Sequence, residues 1–257
     1  MISLRSSCRR GVALVVVAGL VGFGGAAQAA DITVSAAASL TNALQPLAPL
    51  FEAAHPGDKL QFNFGASGAL LQQIAKGAPV DAFISADQET LNQAQAQGLI
   101  ASAGRRNIAS NTLVLIVPVA APLTPTALND LTLPAFARIA IGVPASVPVG
   151  RYTRSELEAV GLWAAIEPKV IGAQSVRQAL DYVARGEVDA GFVYATDAAL
   201  MPGKVRVALT VPTTTPILYP AAAIRGAPNA ALGQQFVDFL ISPPAQAVLA
   251  KFGFGKP

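Results

Sequence analysis

The feature that most constrains the fold of this chain is an alternation of short apolar segments with amphipathic ones. At residues 60–64, apolar side chains occupy every second position, which predicts a strand. At residues 40–54, apolar side chains recur every three or four positions, which predicts a helix. Repeated strand–helix–strand units are typical of a mostly parallel sheet that is covered by helices. The alternation therefore predicts an α/β fold.

The alternation forms two series, with the second beginning near residue 120. Strands are predicted at 32–34, 60–64, 81–85, 112–117, 138–142, 169–171, 189–194, 205–211 and 217–224. Helices are predicted at 40–54, 69–76, 87–97, 151–160, 175–186, 229–240 and 245–252. Pro46 and Pro49 are expected to kink the first helix, because each removes a backbone N–H.

Two series in one chain predict two lobes. We expect lobe I to comprise residues 31–112 and 219–257, and lobe II to comprise residues 113–218. The apolar strands at 112–117 and 217–224 are the predicted crossings between them. No Gly/Ser-rich linker divides the chain, so the lobes are expected to be interleaved and joined by a hinge of crossing strands.

Residues 1–30 have the three parts of a secretory signal peptide: three arginines, an apolar run at 11–25 and a small-x-small site at 27–29. Cleavage is expected after Ala29 or Ala30. A membrane anchor is the alternative, but the run is short and rich in glycine for a hydrocarbon layer of about 30 Å. We therefore expect export to a bacterial periplasm.

Charge and cysteine usage exclude several classes of function. The chain has 18 Lys and Arg and 15 Asp and Glu, and three of the arginines lie in the leader, so the remainder has 15 of each sign. A balanced charge does not favour nucleic-acid binding. The one cysteine, Cys8, also lies in the leader, which leaves the exported part without disulfides or thiolate metal ligands.

Several predicted strands are followed at once by a serine or by the start of a helix. Ligands of open α/β sheets bind beyond the carboxyl ends of the strands, and helix starts attract anions. None of these junction positions carries a positive side chain, which indicates a small anion held by neutral donors. The positions are Ser39, Ser67, Val149-Gly150, Ser175-Val176 and Tyr194.

Each junction also has a purely structural interpretation. Ser39 and Ser175 are suitable helix N-caps, and Ser67 is a suitable turn residue. Tyr194 ends an apolar strand, where packing in the core is the usual role of a tyrosine. The Val149-Gly150 segment is compatible with a simple tight turn. Their repetition at one topological position favours the functional interpretation.

Enzyme interpretations find little support in the sequence. The only histidine, His55, lies at a helix end, and no Ser-His-Asp arrangement can be built around it. There is no His/Cys cluster for a transition metal and no P-loop. Asp81 and Asp87 flank a predicted strand, but acids at element ends are usually caps. We therefore expect no catalytic residues and no cofactor.

Six segments together resemble the periplasmic molybdate-binding proteins of ABC importers. They occur in order over essentially the whole exported part of the chain, and the first and third are the most distinctive. The segments are 36–42 (AAASLTN), 64–68 (FGASG), 81–88 (DAFISADQ), 147–152 (VPVGRY), 175–177 (SVR) and 193–197 (VYATD).

The resemblance implies a two-lobe, type II periplasmic binding fold that closes on molybdate or tungstate. It implies that Ser39 and Ser67 donate hydroxyl and backbone N–H bonds, that Val149 and Val176 donate backbone N–H groups, and that Tyr194 donates its phenol. The molybdenum is then held through its oxygens. The implied partners are a membrane permease and its ATPase, and the implied state is a monomer.

The chain departs from the family pattern at two places. Relatives often have more serines where this chain has residues 65–68 (GASG), so Ser67 is the single hydroxyl of that loop. Relatives often have alanine at the position of Val149, which a backbone donor tolerates.

A fully ionised tetrahedral oxyanion requires donors alone, and every implied contact can donate. A binding protein of the same fold for sulfate or another small anion is the main alternative, and a hydrolase or lyase is the third hypothesis. The sequence does not separate molybdate from tungstate.

Overall fold

The computed structural model describes residue 2 and residues 30–257. The predicted signal peptide at 1–30 therefore lies outside the described residues, apart from its positions 2 and 30. Among the described residues, no helix is both long enough and apolar enough to cross a membrane.

The described residues form ten strands and ten α-helices, and most of them coincide with the predicted segments. The strands are β1 Asp31–Ala37, β2 Lys59–Gly65, β3 Ala82–Ile84, β4 Arg106–Asn111, β5 Leu113–Pro118, β6 Ile139–Gly142, β7 Val170–Ala173, β8 Ala190–Tyr194, β9 Val205–Val211 and β10 Ile217–Ala223. The helices are α1 Thr41–Leu44, α2 Ala48–Ala54, α3 Ser67–Ala75, α4 Gln88–Ala96, α5 Pro148–Ala159, α6 Trp163–Ile166, α7 Val176–Ala184, α8 Ala195–Ala198, α9 Ala230–Leu240 and α10 Pro243–Lys251.

Two five-stranded sheets organise the molecule, and they share one topology. The first has the order β2-β1-β3-β10-β4 and the second has the order β7-β6-β8-β5-β9. In each sheet four strands run in one direction, and only the fourth in the order, β10 or β5, is reversed. The predicted α/β fold with two mostly parallel sheets is confirmed.

The chain passes between the sheets at two places. It leaves the first sheet between β4 and β5, around Thr112, and returns to it between β9 and β10, across residues 212–216. Strand β4 is missing from the predicted elements, because its segment RNIASN has only two buried apolar residues and contains asparagines, which strands disfavour. The residue boundaries of the lobes stay a prediction.

The segment predicted as one kinked helix at 40–54 is a series of short helical turns. It contains 3-10 turns at Ala38–Leu40 and Gln45–Leu47 that alternate with α1 and α2. Pro46 lies in the second 3-10 turn and Pro49 in the first turn of α2. Each proline lacks the N–H that a continuous helix requires, so the chain is interrupted more strongly than a kink implies.

Two other predicted boundaries are wrong in ways that matter for the site. Strand β1 continues to Ala37 rather than ending at 34, so Ser39 lies only two residues beyond a buried strand. Helix α5 begins at Pro148 rather than at 151, because proline suits the first position of a helix. Val149 and Gly150 therefore belong to the first turn of α5 and do not precede it.

Candidate functional site

A small cavity lies where the two sheets face each other, beyond the carboxyl ends of β1, β2 and β8 and at the first turns of α5 and α7. Small and apolar residues such as Ala37, Gly65 and Pro148 form part of its wall. The other lining residues include all five predicted site residues, namely Ser39, Ser67, Val149, Val176 and Tyr194. The fold thus brings together positions that are widely separated in the sequence.

The size of the cavity restricts what it can hold. Its volume is about 10 Å³, whereas sites for drug-sized or metabolite-sized ligands usually have about 300–1,000 Å³. A single ordered water already requires about 10–15 Å³. The cavity is thus at the lower limit for one ordered water, and in this arrangement it excludes ligands of metabolite size.

Tyr194 presents a buried hydroxyl that has no hydrogen-bond partner in the described part of the chain. Its side chain is only 1% exposed, at the end of β8. Burial raises the pKa of Tyr194 well above its usual value, and Tyr219, Tyr152 and nearby carboxylates raise it further. The phenol therefore keeps its proton and can donate to a ligand in the cavity. An orphaned buried donor of this kind is costly unless something occupies the cavity.

Ser67 is the first residue of α3 and is fully buried. Its Oγ accepts a hydrogen bond from the backbone N–H of Ala86 at 3.1 Å. Because that bond uses a lone pair of the hydroxyl, the hydroxyl proton remains available to a ligand. The N–H of Ala86 is a contact that the sequence does not predict.

Ser39 is not the helix cap that the sequence suggests. The N-cap positions of the adjoining turns are Ala37 and Leu40, and neither turn has a side-chain cap. The Oγ of Ser39 lies instead 3.0 Å from the hydroxyl of Tyr219. Ser175, in contrast, is a cap as predicted, since its Oγ accepts from the backbone N–H of Gln178 at 3.2 Å.

Val149 and Val176 offer the cavity only backbone donors, because their side chains are apolar and packed in the core. They are the second residue of α5 and the first residue of α7. Amides in the first turn of a helix have no acceptor inside that helix, and they carry the positive end of its dipole. These two N–H groups come from helices of the second sheet, whereas Ser39 and Ser67 follow strands of the first sheet.

No charged side chain lines the cavity in the part of the chain that the structure describes. Charged side chains instead bridge the lobes beside it. The Nε of Arg151, on α5, donates to Oδ2 of Asp87 at 2.7 Å, and its Nη2 donates to Oγ1 of Thr90 at 2.7 Å. Asp87 also caps α4 by accepting from the N–H of Thr90 at 3.1 Å.

Arg177 bridges the lobes on another side of the cavity. Its Nη2 donates to the carbonyl of Ser39 at 3.0 Å, and its Nη1 donates to Oδ1 of Asn42 at 2.8 Å. Its Nε lies 2.6 Å from Oδ1 of Asp197, a carboxylate with no solvent exposure. Burial raises the pKa of Asp197 to about 6, although Arg177 acts in the opposite direction.

The remaining polar residues considered from the sequence have structural partners away from the cavity. Asp81 accepts from the backbone N–H groups of Thr33 at 2.9 Å and Asn229 at 3.0 Å. The ring of His55 stacks on Phe51 with centroids 4.0 Å apart. A catalytic role for either of these residues therefore has no geometric support.

The chain is similar in sequence to known proteins over most of its length. The sequence pattern of the family described as "Bacterial extracellular solute-binding protein" matches residues 32–255. The chain is 37% identical over 229 residues to the molybdate-binding protein ModA of Escherichia coli, a match that covers 87% of this chain and 88% of the relative.

Solved structures of similar fold include two anion-binding proteins. The periplasmic molybdate-binding protein of Azotobacter vinelandii matches with a TM-score of 0.74 and 26% identity, over 88% of this chain and 99% of that one. The sulfate-binding protein SubI of Mycobacterium tuberculosis matches with a TM-score of 0.76 and 20% identity, over 88% of this chain and 86% of that one. At 20% identity the likeness concerns the fold alone.

Proposed function

Because the chain belongs to the bacterial extracellular solute-binding proteins, in the family of the molybdate-binding protein ModA, we propose that it captures molybdate or tungstate and delivers it to an ABC importer. The observation that carries this proposal is the convergence of neutral donors from both sheets on one small cavity without charged lining. It is a binding protein and not an enzyme.

In the proposed complex, the hydroxyls of Ser39, Ser67 and Tyr194 and the backbone N–H groups of Val149 and Val176 donate to the oxygens of one anion. Hydrogen bonds to a charged group contribute about 1.5–3 kcal/mol each, and they replace the hydration shell that the anion loses. The first-turn amides of α5 and α7 add the favourable ends of two helix dipoles.

The donor-only character of the set selects the charge state of the ligand. Molybdate and tungstate are full dianions at neutral pH and have no proton to donate. A monoprotonated phosphate would place an O–H against a wall that has no carboxylate to accept it. We therefore expect the site to reject phosphate at neutral pH.

The two lobes, 31–112 with 219–257 and 113–218, close on the anion about the two crossings, around Thr112 and at residues 212–216. The protein acts as a monomer in the periplasm, after a leader is removed near Ala29 or Ala30. Its partners are the membrane permease of the importer and the associated ATPase, and release of the anion to them requires the lobes to reopen.

Sulfate is the second candidate ligand, because it is also a tetrahedral dianion without a proton to donate at neutral pH. The two hypotheses differ in which anion, molybdate or sulfate, the protein binds more tightly.

Calorimetric titration of the ligand-free protein with molybdate, tungstate, sulfate and phosphate distinguishes them. We expect one molybdate or tungstate per monomer, weaker binding of sulfate and no binding of phosphate. Tightest binding of sulfate would support the alternative, and a stoichiometry far from one would contradict both.

A further inference from the structure

We propose that Asn111 and Tyr219 are positioning residues that hold the Ser39 hydroxyl as a donor toward the cavity, and that this makes the site selective for fully deprotonated oxyanions. This inference rests on the proposed function, because it concerns the selectivity of the same site. Neither residue lines the cavity, and no motif in the sequence singles them out.

A continuous chain of hydrogen bonds leads from the first crossing between the sheets to Ser39. The Oδ1 of Asn111 accepts from the backbone N–H of Thr112 at 2.9 Å. The Nδ2 of Asn111 lies 2.8 Å from Oγ1 of Thr196 and 3.0 Å from the hydroxyl of Tyr219. The hydroxyl of Tyr219 in turn lies 3.0 Å from Oγ of Ser39.

The backbone N–H of Thr112 determines which group donates in each hydrogen bond from Asn111 to Ser39. A backbone N–H can only donate, so the side-chain oxygen of Asn111 must face Thr112 and its NH₂ group must face Tyr219. The Tyr219 oxygen therefore accepts from Asn111. Among the described residues, the oxygen of Ser39 is the acceptor that remains within reach of the Tyr219 proton. Tyr219 thus donates to Ser39, whose own proton remains available for the cavity.

These hydrogen bonds from Asn111 through Tyr219 to Ser39 form a relay, which packing holds in place and in which the Tyr219 phenol stays protonated. Tyr219 has no solvent exposure and lies between two aromatic rings, with centroid distances of 6.1 Å to Tyr194 and 5.4 Å to Phe254. Burial and the charge of Asp197 raise the pKa of Tyr219 far above its usual value, so the phenol does not ionise under physiological conditions.

The relay affects which protonation state of the anion the site can bind. A serine hydroxyl offers one donor and two acceptor lone pairs, and a protonated anion can donate to a free lone pair. In this chain the relay uses a lone pair of Ser39, just as the Ala86 N–H uses one of Ser67. Both serines of the site are therefore biased toward donation, and the bias at Ser39 originates in side chains that the ligand does not touch.

The test is a double-mutant cycle that combines Tyr219→Phe with Ser39→Ala, with molybdate affinity measured by calorimetry. Loss of one hydrogen bond of about 1 kcal/mol corresponds to a loss of about fivefold in affinity. We expect Tyr219→Phe to lower affinity by about that factor in the parent chain and to have no further effect in the Ser39→Ala chain. Equal losses in the two backgrounds would overturn the proposal.

A second readout separates positioning from a merely structural role. In Tyr219→Phe the lone pair of Ser39 is released, so we expect the affinity for phosphate relative to molybdate to rise at pH 6–7. The matched control is Tyr182→Phe, because Tyr182 is a half-buried tyrosine of α7 that does not line the cavity. We expect the control to change neither affinity nor selectivity. An unchanged phosphate-to-molybdate ratio in Tyr219→Phe would contradict the relay.

A second variant keeps the inference testable if Tyr219→Phe is unstable. In Asn111→Asp, position 111 can only accept, so the Tyr219 proton turns away from Ser39 and the Ser39 proton is drawn toward Tyr219. We expect a larger loss of molybdate affinity than in Tyr219→Phe. The part of this loss in molybdate affinity that persists in the Ser39→Ala background measures the effect of the negative charge that the aspartate adds. A loss that persists entirely there would overturn the relay, whereas a parent chain that binds no molybdate would overturn the proposed function itself.

Discussion

Gly68 and Ser146 face each other across the cleft at a distance that leaves no room for a side chain. The backbone N–H of Gly68, on α3, donates to the carbonyl of Ser146 at 2.9 Å. A Cβ built on Gly68 would lie 2.7 Å from that same oxygen and 2.8 Å from the Cα of Ser146. Because α3 follows a strand of the first sheet and Ser146 follows a strand of the second, a side chain at position 68 would push these two parts of the fold apart.

We therefore predict that Gly68→Ala weakens molybdate binding while the lobes themselves remain folded. Overpacking against backbone costs about 1–3 kcal/mol, which corresponds to a loss of about 5- to 160-fold in affinity when the cost falls on the ligand-bound state alone. Calorimetry gives the affinity, and thermal unfolding without ligand gives the stability.

The matched control is Gly203→Ala, because a Cβ on this exposed turn glycine would meet no atom within 4 Å. We expect it to bind molybdate like the parent chain. A Gly68→Ala protein with unchanged affinity would show that closure does not require this contact.

The two serines that the sequence treats alike provide the second prediction. Ser39 lines the cavity and does not cap a helix, whereas Ser175 caps α7 and does not line the cavity. We expect Ser39→Ala to lower molybdate affinity about thirtyfold, since a charge-assisted hydrogen bond contributes about 2 kcal/mol. Ser175→Ala should mainly lower the stability of the protein, by about 1 kcal/mol. Equal effects of the two substitutions on affinity, measured by calorimetry, would contradict the assignment.

The third prediction concerns the buried carboxylate of Asp197. Burial raises its pKa to about 6 in the folded protein, whereas an exposed aspartate titrates near 3.8. Between these values the folded state binds the proton more tightly than the unfolded state does. The contribution of Asp197 to stability is therefore fully present below pH 3.8 and is lost as pH rises through 6. A difference of about two pKa units corresponds to about 3 kcal/mol.

Asp197→Asn isolates this contribution, because an amide of similar shape does not titrate. We expect the free energy of unfolding of the parent chain, relative to that of Asp197→Asn, to fall by up to about 3 kcal/mol between pH 4 and pH 7. Chemical denaturation of both proteins at several pH values measures the difference. A constant difference over this range would mean that Arg177 keeps Asp197 ionised throughout.

The sequence predicts the cavity-lining residues better than it predicts their roles. Ser39, Ser67 and Tyr194 stand directly at or after strand ends, and this local pattern is visible in the chain. Tyr219 is not visible in this way, because it reaches Ser39 across 180 positions of sequence.

The fold shows the same division between local and long-range information. Strands with strong apolar patterns, such as β5 and β8, are predicted, because burial on both faces leaves a continuous apolar run. Strand β4 is missed, because its pairing with β10 is decided by residues more than 100 positions later in the chain. The hydrogen bonds of Arg151 to Asp87 and of Arg177 to Ser39 are likewise tertiary contacts that no local motif encodes.

The last prediction is that molybdate affinity changes little between pH 7 and pH 9. The proposed donors are serine, tyrosine and backbone groups, and burial raises the pKa of Tyr194 well above its usual value of 10. No carboxylate, lysine, arginine or histidine lines the cavity among the described residues, so no group in contact with the anion titrates in this window. Asp197 changes charge near pH 6, and it contacts Arg177 rather than the cavity. Titrations at fixed ionic strength across the window provide the measurement. A tenfold change in affinity with the protein still folded would mean that a titrating side chain contacts the anion, and the donor-only site would then be wrong.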